Sequence, residues 1–230
     1  MKKQKLDFHI ESYNNLKERL RINKISRKLI LNKNILDFGC NNGNYSISLI
    51  KMGAKKVDAF EFKKKPKNFP SQIKYFNKIL HLKKFNNTYD FIFCNGVLSH
   101  KKNWKNIIIF LTKLLKKESY LWLSLYPKSK YWSDADKISL KFKKRNKDKF
   151  ANLLRLRDWE DGKINFLQDV LFSKRIYFTK KSINNFLKLN GYYKINFLNR
   201  GLSTDLSEKV YKNKKLKRYF SDGEIRLIAK

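Results

Sequence analysis

The feature that most constrains this chain is a glycine turn that joins a short apolar run to an amphipathic segment. The run Ile35–Phe38 is interrupted only by Asp37 and is typical of a buried strand. Gly39 and Gly43 follow it, and the asparagines between them also tolerate positive φ, so a tight turn is expected. Apolar residues at helical spacing then continue to Met52, where a glycine ends the pattern. Together these segments predict the first unit of a nucleotide-binding α/β sheet, in which glycine lets the backbone approach a ligand and the helix N-terminus presents free N–H groups to it.

The next strand carries an acid at the position that such a sheet uses to bind ribose. The segment Lys56–Phe62 reads as a short strand, and Glu61 lies near its end. Glu61 follows Gly43 by 18 residues, close to the ~20-residue offset of a ribose-binding acid. A carboxylate at this position accepts hydrogen bonds from both ribose hydroxyls and repels a 2′-phosphate. The sequence therefore predicts a ribose site at Glu61.

The turn Asp37-Phe38-Gly39-Cys40-Asn41-Asn42-Gly43, with Glu61, resembles the S-adenosylmethionine (SAM) methyltransferases of the Rossmann-like class I, of the type 11/12 kind. Their usual turn is Asp-x-Gly-x-Gly-x-Gly. Asn41 stands where the middle glycine often occurs, and Asn is the best non-glycine residue for a left-handed conformation. The Gly-x-Gly-x-x-Gly of a dinucleotide site is absent. The resemblance covers residues 33–126 well and 176–229 more loosely.

The resemblance implies one α/β domain with a doubly wound, seven-stranded, mostly parallel sheet, a final antiparallel strand and a helical cap insertion. It also implies methyl transfer from SAM. The residues expected to bind this cofactor are Asp37, Gly39, Cys40, Gly43, Glu61, Phe62, Asn77, Asn95 and Gly96. Phe62 is expected to pack on the adenine. Asn77, at the end of a third strand over 73–77, is expected to hold the adenine amino group, although a turn-forming Asn is the alternative.

A second segment, Tyr89–His100, resembles the family pattern Phe-Asp-x-Val-x-x-x-x-Val-Leu-x-His. It implies that Asn95 and Gly96 lie beside the methionine part of the cofactor. His100 then sits just past the end of this strand, at the mouth of the expected pocket. One interpretation makes it a general base for an acceptor hydroxyl or amine. The other makes it a histidine that hydrogen-bonds loop backbone and only shapes the site.

Two kinds of nucleic-acid methylation are disfavoured by the sequence. The predicted strand in the segment Tyr89–His100 is not followed by Asn-Pro-Pro-Tyr or Asp-Pro-Pro-Tyr. Enzymes that resemble this family and methylate exocyclic base nitrogens carry one of these motifs there. Neither Cys40 nor Cys94 follows a proline, which argues against the covalent mechanism of cytosine C5 methylation. Both cysteines fall at the ends of predicted buried strands and are interpreted as reduced apolar residues rather than as a disulfide or a metal site.

The remaining segments are assigned around this core. The predicted parts of one domain over 1–230 are N-terminal helices over 1–32, a cofactor-binding core over 33–126, an acceptor cap over 127–175 and a C-terminal helix with two strands over 176–230. Tyr13 is either a pocket-closing residue or a core-facing aromatic. An acidic cluster in the cap, formed by Asp158, Glu160 and Asp161 around Trp159, either grips a cationic or sugar acceptor or pairs with nearby basic residues. The polar and basic stretch 201–222 is predicted to be a mobile connection.

The charge of the chain is extreme, at +35, with a pI near 10.1. It indicates an anionic partner such as RNA. Because Lys outnumbers Arg about four to one and is spread along the chain, the codon bias of an AT-rich genome explains the charge equally well. No apolar stretch approaches ~18 residues, and no long apolar run follows the N-terminus, so neither a membrane span nor a signal peptide is expected. A cytoplasmic protein is the resulting expectation.

Three functions remain open from the sequence. The first is methyl transfer from SAM to an O, N or C nucleophile of a small-molecule acceptor. The second is tRNA modification, because Gly53-Ala54 and the Gly96–His100 segment also resemble the wobble-uridine carboxymethyl transferases. The third is a SAM-fold binding protein that has lost activity.

Overall fold

The computed structural model describes residues 2–66, 69–141, 146–157, 167–168 and 171–230. Its strands are β1 (Asn34–Phe38), β2 (Lys56–Phe60), β3 (Lys74–Phe76), β4 (Tyr89–Asn95), β5 (Leu115–Leu125), β6 (Ile195–Phe197) and β7 (Ile225–Ala229). Its helices are α1 (Lys2–Ile22), α2 (Asn44–Lys51), α3 (Trp104–Leu114), α4 (Lys130–Ser139), α5 (Lys147–Arg155), α6 (Lys180–Leu189), α7 (Leu206–Lys212) and α8 (Lys217–Phe220).

The seven strands form one sheet in the order β3-β2-β1-β4-β5-β7-β6. Strands β1 to β5 are parallel to one another, and β7 is antiparallel to both β5 and β6. The predicted doubly wound, mostly parallel sheet with a final antiparallel strand is therefore confirmed. The chain crosses from one side of β1 to the other between β3 and β4, which makes the ends of β1 and β4 the switch point where ligands bind in such sheets.

Both faces of the sheet are buried, which explains why its central strands read as continuous apolar runs. On one face, Ile35 of β1 packs in a cluster with Leu16 and Leu20 of α1 and Leu49 of α2. On the other face, the next residue, Leu36, packs in a cluster with residues of α3 and α6. Helices thus cover both faces, and the edge where β1, β2, β4 and β5 end, here called the carboxyl edge, is the part of the core that opens to loops. No helix within the described ranges combines the length and the apolar character needed to cross a bilayer.

The prediction of a mobile connection over 201–222 is wrong. This stretch contains α7 and α8, and it is tied to the core by buried ion pairs. The Asp205 carboxylate lies 2.9 Å from the Arg19 guanidinium of α1 and 3.0 Å from that of Arg226 in β7. Burial disfavours the charged form of Asp205, but the two arginines outweigh it and hold the pKa of this carboxyl below its ordinary value. Polar composition suggested a solvated loop, whereas these charges neutralise each other across distant elements.

Candidate active site

The glycine turn after β1 has the predicted left-handed backbone. Gly39, Asn41 and Gly43 have φ of 86°, 48° and 81°. The backbone N–H groups of Gly39 and Cys40 both donate to the carbonyl of Phe60, at 2.7 and 3.0 Å. Asn41 therefore does take the role of the middle glycine, and the turn is fastened to the end of β2.

The two glycines are also required by side-chain packing, which the sequence did not indicate. A Cβ atom on Gly39 would lie 1.9 Å from Cγ2 of Val97, which follows β4. A Cβ atom on Gly43 would lie 2.7 Å from Cε2 of Phe69, in the β2–β3 connection. Val97 and Phe69 are close to the turn only because the sheet brings distant segments to one edge, so no local signal could have identified them.

Asp37 lies under the turn, at the end of β1, and is 2% exposed. Ser46, in the first turn of α2, donates from Oγ to its Oδ2 at 2.5 Å. Burial raises the pKa of Asp37 to about 7; the Ser46 hydrogen bond opposes this rise and the nearby charge of Glu61 adds to it. The Asp37–Ser46 contact joins the strand to the helix and so fixes where the N-terminus of α2 points. Ser46 was not among the predicted site residues.

Glu61 follows β2 directly and lies beside the glycine turn. Its Oε1 accepts a hydrogen bond from the N–H of Phe62 at 2.7 Å, and its Oε2 accepts one from the N–H of Asn41 at 3.3 Å. Its own N–H donates to the carbonyl of Phe76 at the end of β3. The carboxylate is thus held by backbone donors at the carboxyl edge, next to β1.

Phe62 packs edge-on against Phe60, with ring centroids 5.0 Å apart, and against Phe38. The Nζ atom of Lys101 lies 3.4 Å from the centroid of the Phe62 ring, within cation–π distance. Since Phe62 follows β2 and Lys101 follows the end of β4, this contact crosses the carboxyl edge in front of β1. Lys101 was not among the predicted site residues, because nothing in its sequence neighbourhood distinguishes it from the many other lysines.

The remaining predicted cofactor residues also lie at the carboxyl edge. Asn77 is exposed and immediately follows β3. Asn95 is the last residue of β4 and pairs in register with Ser124 of β5. Gly96 has φ of 77°, and its N–H donates to the carbonyl of Ser124 at 3.1 Å. The sheet therefore brings the residues after β1, β2, β3 and β4 to one edge.

His100 ends a 3-10 turn, Leu98–His100, just past β4. Its Nδ1 lies 3.3 Å from the carbonyl oxygen of Lys174. A carbonyl only accepts, so Nδ1 carries the hydrogen in this contact. The ring stands perpendicular to that of Tyr126, with centroids 5.5 Å apart. The loop contact that one interpretation expected is present.

The segment that supplies Lys174 is fastened to the ends of β4 and β5. The N–H of Ile176 donates to the carbonyl of Ser99 at 2.7 Å, and the Ser99 Oγ accepts from the N–H of Tyr126 at 2.9 Å. Phe178 exchanges backbone hydrogen bonds with Tyr126 and Lys128. Residues 174–178 therefore form a strap along this side of the carboxyl edge.

Three further expectations can be compared with the structure. Cys40 and Cys94 are free and buried, and burial raises the pKa of both thiols, as suits apolar residues without reactivity. Tyr13 packs against the core cluster of α1 and α2, which is the core-facing alternative. The acidic cluster over 158–161 lies outside the described residues.

A protein-family model described as a methyltransferase domain matches residues 11–196 of the chain. Among solved structures, a SAM-dependent methyltransferase from Archaeoglobus fulgidus matches with a TM-score of 0.55 and 15% identity, over 91% of this chain and 96% of that one. The magnesium protoporphyrin IX methyltransferase of Synechocystis PCC 6803, with bound SAH, matches with a TM-score of 0.54 and 16% identity, over 99% and 85% of the two chains. At these identities the likeness is one of fold.

Among curated proteins, the tRNA U34 carboxymethyltransferase of Nautilia profundicola is 35% identical to this chain over 82 residues. The match covers 30% of this chain and 26% of the relative. The chain thus aligns with about a quarter of the length of this relative.

Proposed function

The chain belongs to the methyltransferase domain family, and from this premise we propose that its carboxyl edge binds SAM through Glu61 and the glycine turn and presents the methyl group to a small-molecule acceptor. The activity itself is SAM-dependent methyl transfer. Family membership favours an enzyme over the non-catalytic alternative. Three things are proposed: the residues that bind the cofactor, the class of the acceptor, and the residue that acts as the base.

The position of Glu61 is the observation that carries the cofactor proposal. Its carboxylate uses one backbone donor on each oxygen, from Phe62 and Asn41. A carboxylate has about four acceptor sites, so each oxygen retains capacity for a ribose hydroxyl. The glycine turn, left-handed at Gly39, Asn41 and Gly43, and the N-terminus of α2, which has no side-chain cap, fit the methionine side of the same ligand.

The adjoining residues are assigned by their positions along the same edge. Phe62 offers a ring face or edge to the adenine, and Asn77, which follows β3, offers an amide to the adenine amino group. Asn95 and Gly96, after β4, flank the centre of the cofactor. Asp37, beneath the turn, and Cys40, within it, are both buried, so we assign them to supporting its shape rather than to direct contact. Asp37 acts by fastening α2 through Ser46.

SAM supplies an electrophilic methyl carbon bonded to a sulfonium sulfur. The chain contributes alignment of the acceptor nucleophile with that carbon and exclusion of water, which together are the main source of acceleration in such a displacement. His100, just past the end of β4 and with Nδ1 donating to the carbonyl of Lys174, is the proposed base for the proton of an acceptor hydroxyl or amine. No other step requires a protein group to change its bonding.

Isothermal titration calorimetry with SAH tests the ribose assignment. Two charge-assisted hydrogen bonds are worth about 1.5–3 kcal/mol each, so Glu61→Ala should raise the Kd about 100-fold or more. Glu118→Gln is the matched control, because Glu118 pairs with Lys230 at the opposite end of β5. Unchanged affinity in Glu61→Ala would remove Glu61 from the cofactor site.

A second candidate function is transfer of a carboxymethyl group to a tRNA wobble uridine. The partial match to the Nautilia profundicola enzyme and the net charge of +35 favour it. Binding of unmodified tRNA is then expected to weaken steeply with salt, because neutralised phosphates release counterions. Fluorescence anisotropy between about 50 and 200 mM salt measures this slope. Absence of tRNA binding at low salt would exclude this candidate.

A further inference from the structure

A basic cleft lies beside the candidate active site, and none of the roles proposed above uses it. It has a volume of about 610 Å³, within the ~300–1,000 Å³ range of small-molecule sites. Its walls come from the start of α4, the strap over 174–178 and the stretch that includes α8. Aromatic contacts hold two of these walls together, since Tyr131 of α4 packs on Phe220 of α8 with centroids 5.2 Å apart.

The lining of the cleft is strongly cationic. Its basic side chains are Lys128, Lys130, Lys217 and Arg218. Lys130 pairs with Asp134 at 2.6 Å and Lys217 approaches Asp222 at 3.6 Å, so their charges are partly compensated. Neither Lys128 nor Arg218 has an ion-pair partner in the part of the chain that the structure describes. A cleft with uncompensated cations attracts and retains an anion.

Among the described residues of the lining, the one carboxylate does not cancel this charge. Asp136 accepts a hydrogen bond from the Arg175 guanidinium at 2.5 Å and another from the hydroxyl of Tyr177. Arg175 is itself buried and stacks over Trp132, with its Cζ 5.1 Å from the ring. The negative charge of Asp136 is thus paired with Arg175, and the serine hydroxyls of the lining, Ser129, Ser133 and Ser221, can donate to an anion.

The cleft is joined to the candidate active site by stacked rings. Trp132, behind the cleft, stacks on Tyr126 with centroids 4.4 Å apart, and Tyr126 meets the ring of His100. Lys128, at the mouth, is two residues beyond Tyr126. An anion in the cleft therefore lies on the same side of the carboxyl edge as His100.

We propose that this cleft binds the phosphate or carboxylate group of the methyl acceptor, and that the rest of the acceptor extends past Tyr126 toward His100. The inference rests on the proposed function, because it names the substrate class of that same site. A concave site of this size suits a small anionic molecule better than an RNA backbone, which requires an extended groove with exposed stacking surfaces. The acceptor is accordingly an anionic metabolite.

The test measures binding of pyrophosphate, citrate and SAH by calorimetry to the full chain in a buffer without other multivalent anions. The cleft variant is Lys128→Gln/Arg218→Gln. Lys113→Gln/Lys188→Gln removes the same net charge from α3 and α6 and is the matched control. Loss of one charge-assisted contact corresponds to about a tenfold change, so the Kd of the preferred anion should rise at least ~10-fold in the cleft variant and less than about twofold in the control.

The outcomes distinguish failure of this inference from failure of the proposed function. A preference for pyrophosphate or for citrate assigns a phosphate or a carboxylate, respectively. Equal weakening in both double variants, or no binding of either anion, overturns the inference, as does cleft-dependent binding of tRNA alone. If SAH binds while the anions do not, the inference fails and the proposed function stands. If SAH does not bind, the proposed function itself fails.

Discussion

Replacing Gly39 with alanine tests the packing of the glycine turn directly. Gly39 has φ of 86°, which costs a residue with a Cβ about 1–2 kcal/mol. The added Cβ would also lie 1.9 Å from Cγ2 of Val97, where ordinary contact begins at 3.4 Å. Relieving such an overlap typically costs a further ~1–3 kcal/mol, so Gly39→Ala should lower the free energy of unfolding by about 2–5 kcal/mol.

Gly191 offers a matched control. It has φ of 90°, and nothing lies within 4 Å of the position of its Cβ. Gly191→Ala should therefore lower the free energy of unfolding only by the cost of a Cβ in the left-handed conformation, about 1–2 kcal/mol. Urea unfolding monitored by circular dichroism measures both variants, with the midpoint shifting and the slope unchanged. Since domains are stable by only about 5–15 kcal/mol, the two losses are readily distinguished.

The overlap predicts a specific coupling between two residues. In the double variant Gly39→Ala/Val97→Ala the offending Cγ2 atom is gone, so the two substitutions should cost less together than their sum, by about 1 kcal/mol or more. The reasoning is refuted if Gly39→Ala destabilises no more than Gly191→Ala, or if the double-mutant cycle is additive. Either result would mean that Val97 moves aside freely and that the turn is not close-packed.

Three other predictions follow from charges and hydrogen bonds. The pKa of Asp37 is about 7 in the folded protein, against an ordinary value of 3.8 in the unfolded chain. Between these pH values the folded protein keeps a proton that the unfolded chain has released, so the free energy of unfolding should fall by up to ~4 kcal/mol as pH rises through this window. Urea unfolding at a series of pH values should show a weaker pH dependence of the free energy of unfolding for Asp37→Asn than for the wild type. An unchanged pH dependence would contradict the raised pKa. Asp205→Asn should cost about 3–5 kcal/mol in thermal or urea unfolding, because it leaves Arg19 buried without its counterion and Arg226 with only Glu224, at 3.5 Å. Glu18→Gln, on the exposed surface of α1, should cause no measurable loss. His100→Asn retains a donor for the Lys174 carbonyl but not a base, so kcat should fall ~10²–10⁴-fold and the pH dependence of the rate should change; full activity with the wild-type profile would assign His100 to positioning alone.

Much of the fold could be predicted because the signals were local. The apolar runs of β1, β4 and β5, the glycine stops and the helical spacing in α3 each depend on residues a few positions apart. The order of elements fits the right-handed crossover of parallel strands, and the resemblance to the methyltransferases implied the seven-stranded topology. Asn41 is an instance at the scale of one residue: its chemistry alone indicated the left-handed conformation that it adopts.

Spacing also predicted that Glu61 would meet the glycine turn, because parallel strands end at the same edge of a sheet. It did not predict what surrounds them. Val97, Phe69 and Lys101 reach the turn from three separate connections, and their sequence contexts are ordinary. The order seen over 201–222 was missed for a related reason: a polar stretch looks solvated until Arg19 and Arg226, distant in the chain, approach it.

Residue type and periodicity along the chain were thus sufficient for the α/β class of the sheet and for the acid that follows its second strand, since each is written in short-range pattern. Packing in three dimensions alone determined which side chains close the glycine turn, which charges neutralise one another and where a cleft lined by lysine and arginine opens. Those properties depend on contacts between residues far apart in sequence, whose free energies arise only when the sheet and its helices have assembled.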